Sequence, residues 1–153
     1  MAAARRSAFA AAGLTLLVVA GCGGGRLSHG DFVKKADAVC AAYRSQTPPL
    51  LSPKSYDAVV AWGQRTLPLY AAALEKLRAL QPPQADQQTV RTWLAGDARV
   101  QAATRDLVAA AQKRDYPSLS AAASRAQLAG SESRQAATTL GLEVCGTFAA
   151  TSG

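Results

Sequence analysis

The chain carries few of the residues that do chemistry. Of its 153 residues one is a histidine (His29), one is a methionine (Met1) and three are cysteines. A serine hydrolase would want a histidine base beside an exposed nucleophile, and no Gly-x-Ser-x-Gly turn is present. Metal sites need several convergent donors, so His29 reads as a solvated residue at the start of a helix. The glutamates are Glu75, Glu132 and Glu143, and none has a histidine three residues on, which excludes a di-iron bundle of the Glu-x-x-His kind. Cys-x-x-Cys-His is absent and methionine is confined to Met1, which argues against haem. No glycine loop follows a strand pattern to cradle phosphate, and the run Gly23 to Gly25 opens no such unit. No apolar run reaches the ~20 residues that span a bilayer as a helix. No cofactor, metal site or catalytic residue is expected, and no enzyme activity.

What is present begins with an address. Arg5 and Arg6, an apolar stretch from Ala8 to Ala20 and the small residues before Cys22 form the three parts of an export signal. Val19-Ala20-Gly21-Cys22 resembles the lipobox of bacterial lipoproteins, although Val19 stands where leucine is commoner. The resemblance implies that residues 1–21 are a lipoprotein signal peptide. It also implies that the Cys22 sulfur carries a diacylglyceryl group and that the protein is held on the extracytoplasmic face of the cell membrane. An ordinary secretory signal cut near Gly21 is the alternative. The Arg5-Arg6 pair resembles twin-arginine signals, but Ser7-Ala8-Phe9 departs from that motif and general secretion is expected. Two acyl chains give stable attachment where one is marginal. Residues 22–27 then read as a Gly-rich tether reaching about 20 Å.

Cleavage before Cys22 leaves 132 residues, enough for one domain with its own core. The 15 basic and 10 acidic residues that remain give +5. They are interspersed, which fits a solvated surface, with attraction to an anionic envelope polymer as the alternative. Nucleic acid is excluded as a partner by the address. Cys40 and Cys145 remain as an even pair in an oxidising compartment, and a structural disulfide is expected.

The apolar period is helical throughout. Ser28 caps a first helix whose Phe32, Ala36, Val39, Cys40 and Tyr43 share a face, ending before Thr47-Pro48-Pro49. After a linker with Pro48, Pro49 and Pro53, the residues Tyr56, Val60, Gly63, Leu67, Tyr70, Leu74 and Leu77 mark a second helix. Pro68 predicts a kink or break near Leu67. A third helix carries Val90, Trp93, Asp97, Val100, Thr104, Leu107 and Ala111, and its end is expected near Arg114. A turn at Asp115-Tyr116-Pro117 leads to a fourth, with Leu119, Ala122, Ala126, Ala129, Ser133, Ala136 and Leu140. Gly141 followed by Leu142 reads as a glycine cap, leaving Cys145 in the tail. The expected fold is all-α: an antiparallel four-helix bundle over residues 28–148, closed by one disulfide, with a flexible tail at 149–153. Alanine fills 27 of the 132 mature positions, so the core leans on the aromatic and leucine seams.

Asp97 interrupts the third seam and is expected at its edge in solvent, with burial against an arginine or a tyrosine hydroxyl as the alternative. Tyr43, Tyr70 and Trp93 read as core, or as the wall of a pocket together with Tyr56 and Trp62. Outward-facing Arg91, Arg99, Arg105 and Arg125 mark a candidate functional surface.

Three segments carry a family likeness: Asp31-Phe32 through Ala36-Asp37-Ala38-Val39-Cys40, Leu74 to Pro83, and Leu140 to Gly146. They resemble a group of secreted or lipid-anchored helical proteins of high-G+C bacteria with no established activity. The resemblance implies the helical fold, the cysteine bridge and the envelope address. The expected function is a non-enzymatic binding or scaffold module at the cell envelope, its partner an envelope protein or anionic envelope polymer. A carrier of a small apolar or envelope-derived ligand is the alternative.

Overall fold

The computed structural model describes residues 25–47 and 55–147. The expected signal peptide with Cys22, the first part of the expected tether, the linker with Pro48, Pro49 and Pro53, and the expected tail at 149–153 lie outside the described residues. Four long helices follow in order: α1 (His29–Gln46), α2 (Tyr56–Ala79), α3 (Gln87–Gln112) and α4 (Tyr116–Thr139). A 3-10 turn at Gln84–Asp86 leads into α3, and one further helical turn, α5 (Glu143–Gly146), follows α4. No strand occurs among the described residues. The helices pack as an antiparallel bundle, and a Cys40–Cys145 disulfide joins α1 to α5 across 105 residues of sequence.

Each long helix starts and stops where local chemistry demands. The hydroxyls of Ser28 and Ser55 and the carboxylate of Asp115 accept backbone N–H bonds from Asp31, Ala58 and Ser118. Such caps each stabilise a helix by about 1 kcal/mol. At the end of α4 the N–H of Gly141 bonds the Thr138 carbonyl and that of Leu142 bonds the Ala137 carbonyl, while Gly141 takes φ 71°. This is the Schellman end that Gly141-Leu142 predicts.

The same pattern closes α3. There Arg114 N–H bonds the Ala111 carbonyl and Asp115 N–H the Ala110 carbonyl, but the left-handed residue is Arg114, at φ 55°. A side chain in that conformation costs about 1 kcal/mol relative to glycine.

Of the kink or break expected at Pro68 there is no break, since helix α2 runs through it as one element. Two other expectations are corrected. Cys145 lies in a further helical turn, α5, rather than in the tail. The Asp37 carboxylate explains that turn, because it accepts the N–H groups of Glu143, Val144 and Cys145 at 3.0, 3.0 and 2.9 Å. The buried faces of α2 and α3 also drift from the strict seams: Val59 and Thr66 are buried where Val60 and Leu67 are expected, and Gln101 and Val108 where Val100 and Leu107 are. An α-helix turns every 3.6 residues, so a repeat of alternating threes and fours slips by ~20° per heptad.

The bundle has two unlike poles. At one, Leu27 N–H bonds the Gln81 carbonyl at 2.8 Å and His29 Nδ1 lies 2.6 Å from the Asp86 carboxylate, so the residues leading into α1 lie beside the end of α2 and the start of α3. At the other lie the start of α2 and the turn between α3 and α4. Helix α3, with 26 residues, separates them by about 39 Å. Phe32, Leu77, Val90, Trp93, Leu140 and Leu142 form the apolar core nearer the first pole, together with the disulfide. Two glycines set how closely the helices approach. An added Cβ on Gly63 would run into the Val108 side chain, which fixes α2 against α3 toward the second pole, and one on Gly96 would lie 2.9 Å from the Ser133 Cβ, so α3 and α4 approach closely there only because both side chains are small.

Candidate functional site

Trp93 is 1% exposed and belongs to the main apolar cluster. Tyr70 is buried too, and half-buried Tyr43 packs on it with ring centroids 5.5 Å apart. These aromatics occupy the bundle interior. Trp62 is half-buried.

Asp97 is not at a solvent edge. It is 8% exposed, accepts the Ser133 hydroxyl at 2.6 Å, and meets the Tyr70 hydroxyl at 3.3 Å through both its carboxylate and its backbone carbonyl. The seam reading failed because Asp97 has partners on two other helices, a fact that no single helix encodes. One turn closer to the second pole, on α3 and α2, lie Gln101 and Thr66, also buried, and the Thr66 hydroxyl has no hydrogen-bond partner. A polar layer thus crosses the bundle above its apolar core. Burial pushes the Asp97 carboxyl up from 3.8 to about 6, against the downward pull of the Ser133 and Tyr70 hydrogen bonds. Burial, with Asp97 next in effect, holds the Tyr70 hydroxyl well above its ordinary range, so it remains a donor.

A raised carboxyl has a definite sign. Between about pH 4 and 6 the folded state holds a proton that the unfolded chain has released, so Asp97 stabilises the fold fully below pH ~4 and loses that effect as pH rises through about 6. About two pH units at 1.36 kcal/mol each set an upper size of ~3 kcal/mol. Asp97→Asn keeps an acceptor for Ser133 and Tyr70 and removes the buried charge. Its melting temperature at pH 7.5 is expected to exceed that of the native protein, with a flatter slope between pH 4.5 and 7. An unchanged slope would contradict this assignment.

The candidate arginine surface is largely occupied. Arg99 pairs with Glu132 at 2.5 Å, Arg125 with Asp106 at 3.0 Å, and Arg91 bonds Gln88 at 2.6 Å. Exposed pairs of this kind add little stability. Their consequence is that three of the four guanidinium groups already have acceptors within the protein.

The second pole holds a groove of ≈ 460 Å³ lined by Ser55, Tyr56, Asp57 and Val59 from the start of α2, Arg114 from the turn, and Tyr116 and Leu119 from α4. Tyr116 is 66% exposed, the most exposed large hydrophobic residue described. Arg114 and Asp57 face one another at 3.9 Å, both largely in solvent. Among the described residues no three His, Cys, Asp or Glu side chains gather to hold a metal ion, and no helix is long and apolar enough to cross a membrane. Tyr56 was legible as a candidate wall residue. Arg114, Tyr116 and Asp57 were not, because the groove joins two turns far apart in sequence. The one local signal was a helix end at Lys113-Arg114-Asp115 with no glycine to take the left-handed position.

No family model, curated protein or solved structure matches the chain.

Proposed function

We propose that the protein is a lipid-anchored, extracytoplasmic binding module, non-enzymatic, which displays its second pole away from the membrane. The observation that carries this reading is the polarity of the bundle. Leu27 and the start of α1 lie at one pole, while the groove bounded by Tyr56, Arg114 and Tyr116 opens at the other, about 39 Å away along α3. A diacylglyceryl group on Cys22 with a short Gly-rich tether would hold the first pole near the bilayer and leave the groove facing the envelope. A bound ligand in the interior is the less favoured arrangement, since Trp93 and Tyr70 are buried by neighbouring side chains.

The anchor is tested by metabolic labelling with a fatty-acid precursor and by fractionation. Native protein is expected to take up label and sediment with membranes, whereas Cys22→Ser loses both. Label retained by Cys22→Ser would contradict the anchor.

A further inference from the structure

We infer that the groove at the second pole binds an uncharged saccharide, one or two rings in length. The inference rests on the reading of the chain as a binding module and gives that module a ligand class.

The lining is mainly apolar with a polar side. Tyr56 and Tyr116 contribute aromatic rings and Val59 and Leu119 aliphatic groups, while Arg114, Asp57 and Ser55 supply donors and acceptors. A ligand covering this surface must therefore have an apolar face and hydroxyl edges. The ring of a sugar has both: its C–H face packs on an aromatic ring, and its hydroxyls donate to a carboxylate and accept from a guanidinium.

Charge selects further. Arg114 and Asp57 oppose each other at 3.9 Å, beyond hydrogen-bond reach, and their charges cancel. An anionic ligand meets the Asp57 carboxylate, and a cation meets Arg114. A fatty chain would strip water from both groups and return no hydrogen bond. A neutral polyol leaves each group with a partner, bridging the gap that the two side chains do not close. The volume of ≈ 460 Å³ falls within the ~300–1,000 Å³ of small-ligand sites.

Arg114 adds an independent observation. The Schellman ends of α3 and α4 are built alike, yet Gly141 holds the left-handed position in one and Arg114 in the other. A guanidinium at the groove mouth is thus kept at a conformational cost that glycine would avoid.

The test is a calorimetric titration of the full chain in detergent with maltotetraose and tetra-N-acetylchitotetraose as neutral probes, tetragalacturonate as the anionic one and 1-decanol as the apolar one. Saturable binding of a neutral tetrasaccharide is expected, weakened about tenfold by Tyr116→Ala through loss of ring contact and similarly by Arg114→Gly. Arg114→Gly also serves as the folding control, because glycine suits φ 55° and its melting temperature should equal or exceed the native value. Three results would overturn the inference: no saturable binding by either neutral probe, tighter binding of tetragalacturonate or 1-decanol, or neutral binding that both substitutions leave unchanged. Failure of the binding-module reading shows elsewhere, in intact cells, and does not depend on which purified probe binds.

Discussion

Cys40→Ala is expected to lower the melting temperature of the oxidised protein by 10 °C or more (roughly 3 to 5 kcal/mol), with Cys145→Ala matching it and the double variant no worse than either. The disulfide spans 105 residues, and loops of that length gain about 4.7 kcal/mol in the chain-entropy account, although measured bridges often give less. It joins the first helix of the bundle to the turn after the last, so the reduced unfolded chain recovers nearly all its freedom. Asp37 limits the damage in the folded state, since its three N–H bonds still hold α5 against α1. Thermal unfolding of the three variants, with intact mass before and after reduction, checks this. A double variant that loses the sum of the two singles would contradict it.

Trp93→Ala is expected to cost about 3 to 5 kcal/mol, the range for a large buried aromatic removed from a packed core. Trp93 is enclosed in the cluster that contains Phe32, Leu77 and Leu140, and the packed helices that carry these residues limit how far they can relax into the space. No small molecule added to the native protein should mimic the lost packing. Urea unfolding gives the value. A cost below ~1 kcal/mol, with a ligand-dependent melting temperature in the native protein, would instead describe a wall residue of a binding pocket.

The helices were legible in the sequence because their determinants are local. Ser28, Pro82-Pro83, Asp115 and Gly141 mark ends through bonds to residues three or four positions away, and the cysteine pair follows from number and compartment. What escaped was long-range. Asp97 is satisfied by Tyr70 and Ser133, 27 and 36 residues away, and the Asp37 contact to α5 spans more than 100. The groove escaped for the same reason, since Tyr56 and Tyr116 become neighbours only after α2, α3 and α4 have packed. Helix phase was lost by a single position over two turns, which is the drift expected when a heptad is read onto a straight helix.

The claim that the second pole is the working surface is tested most directly by photo-crosslinking in intact cells from two positions of α4. Tyr116 and Leu128 are 66% and 64% exposed on the same helix, about 18 Å apart along its axis, and only Tyr116 lines the groove. A photoreactive side chain replacing Tyr116 is expected to give a discrete adduct with an envelope component, while the same group replacing Leu128 gives none. Equal adducts from both positions, or an adduct from position 128 alone, would contradict the account.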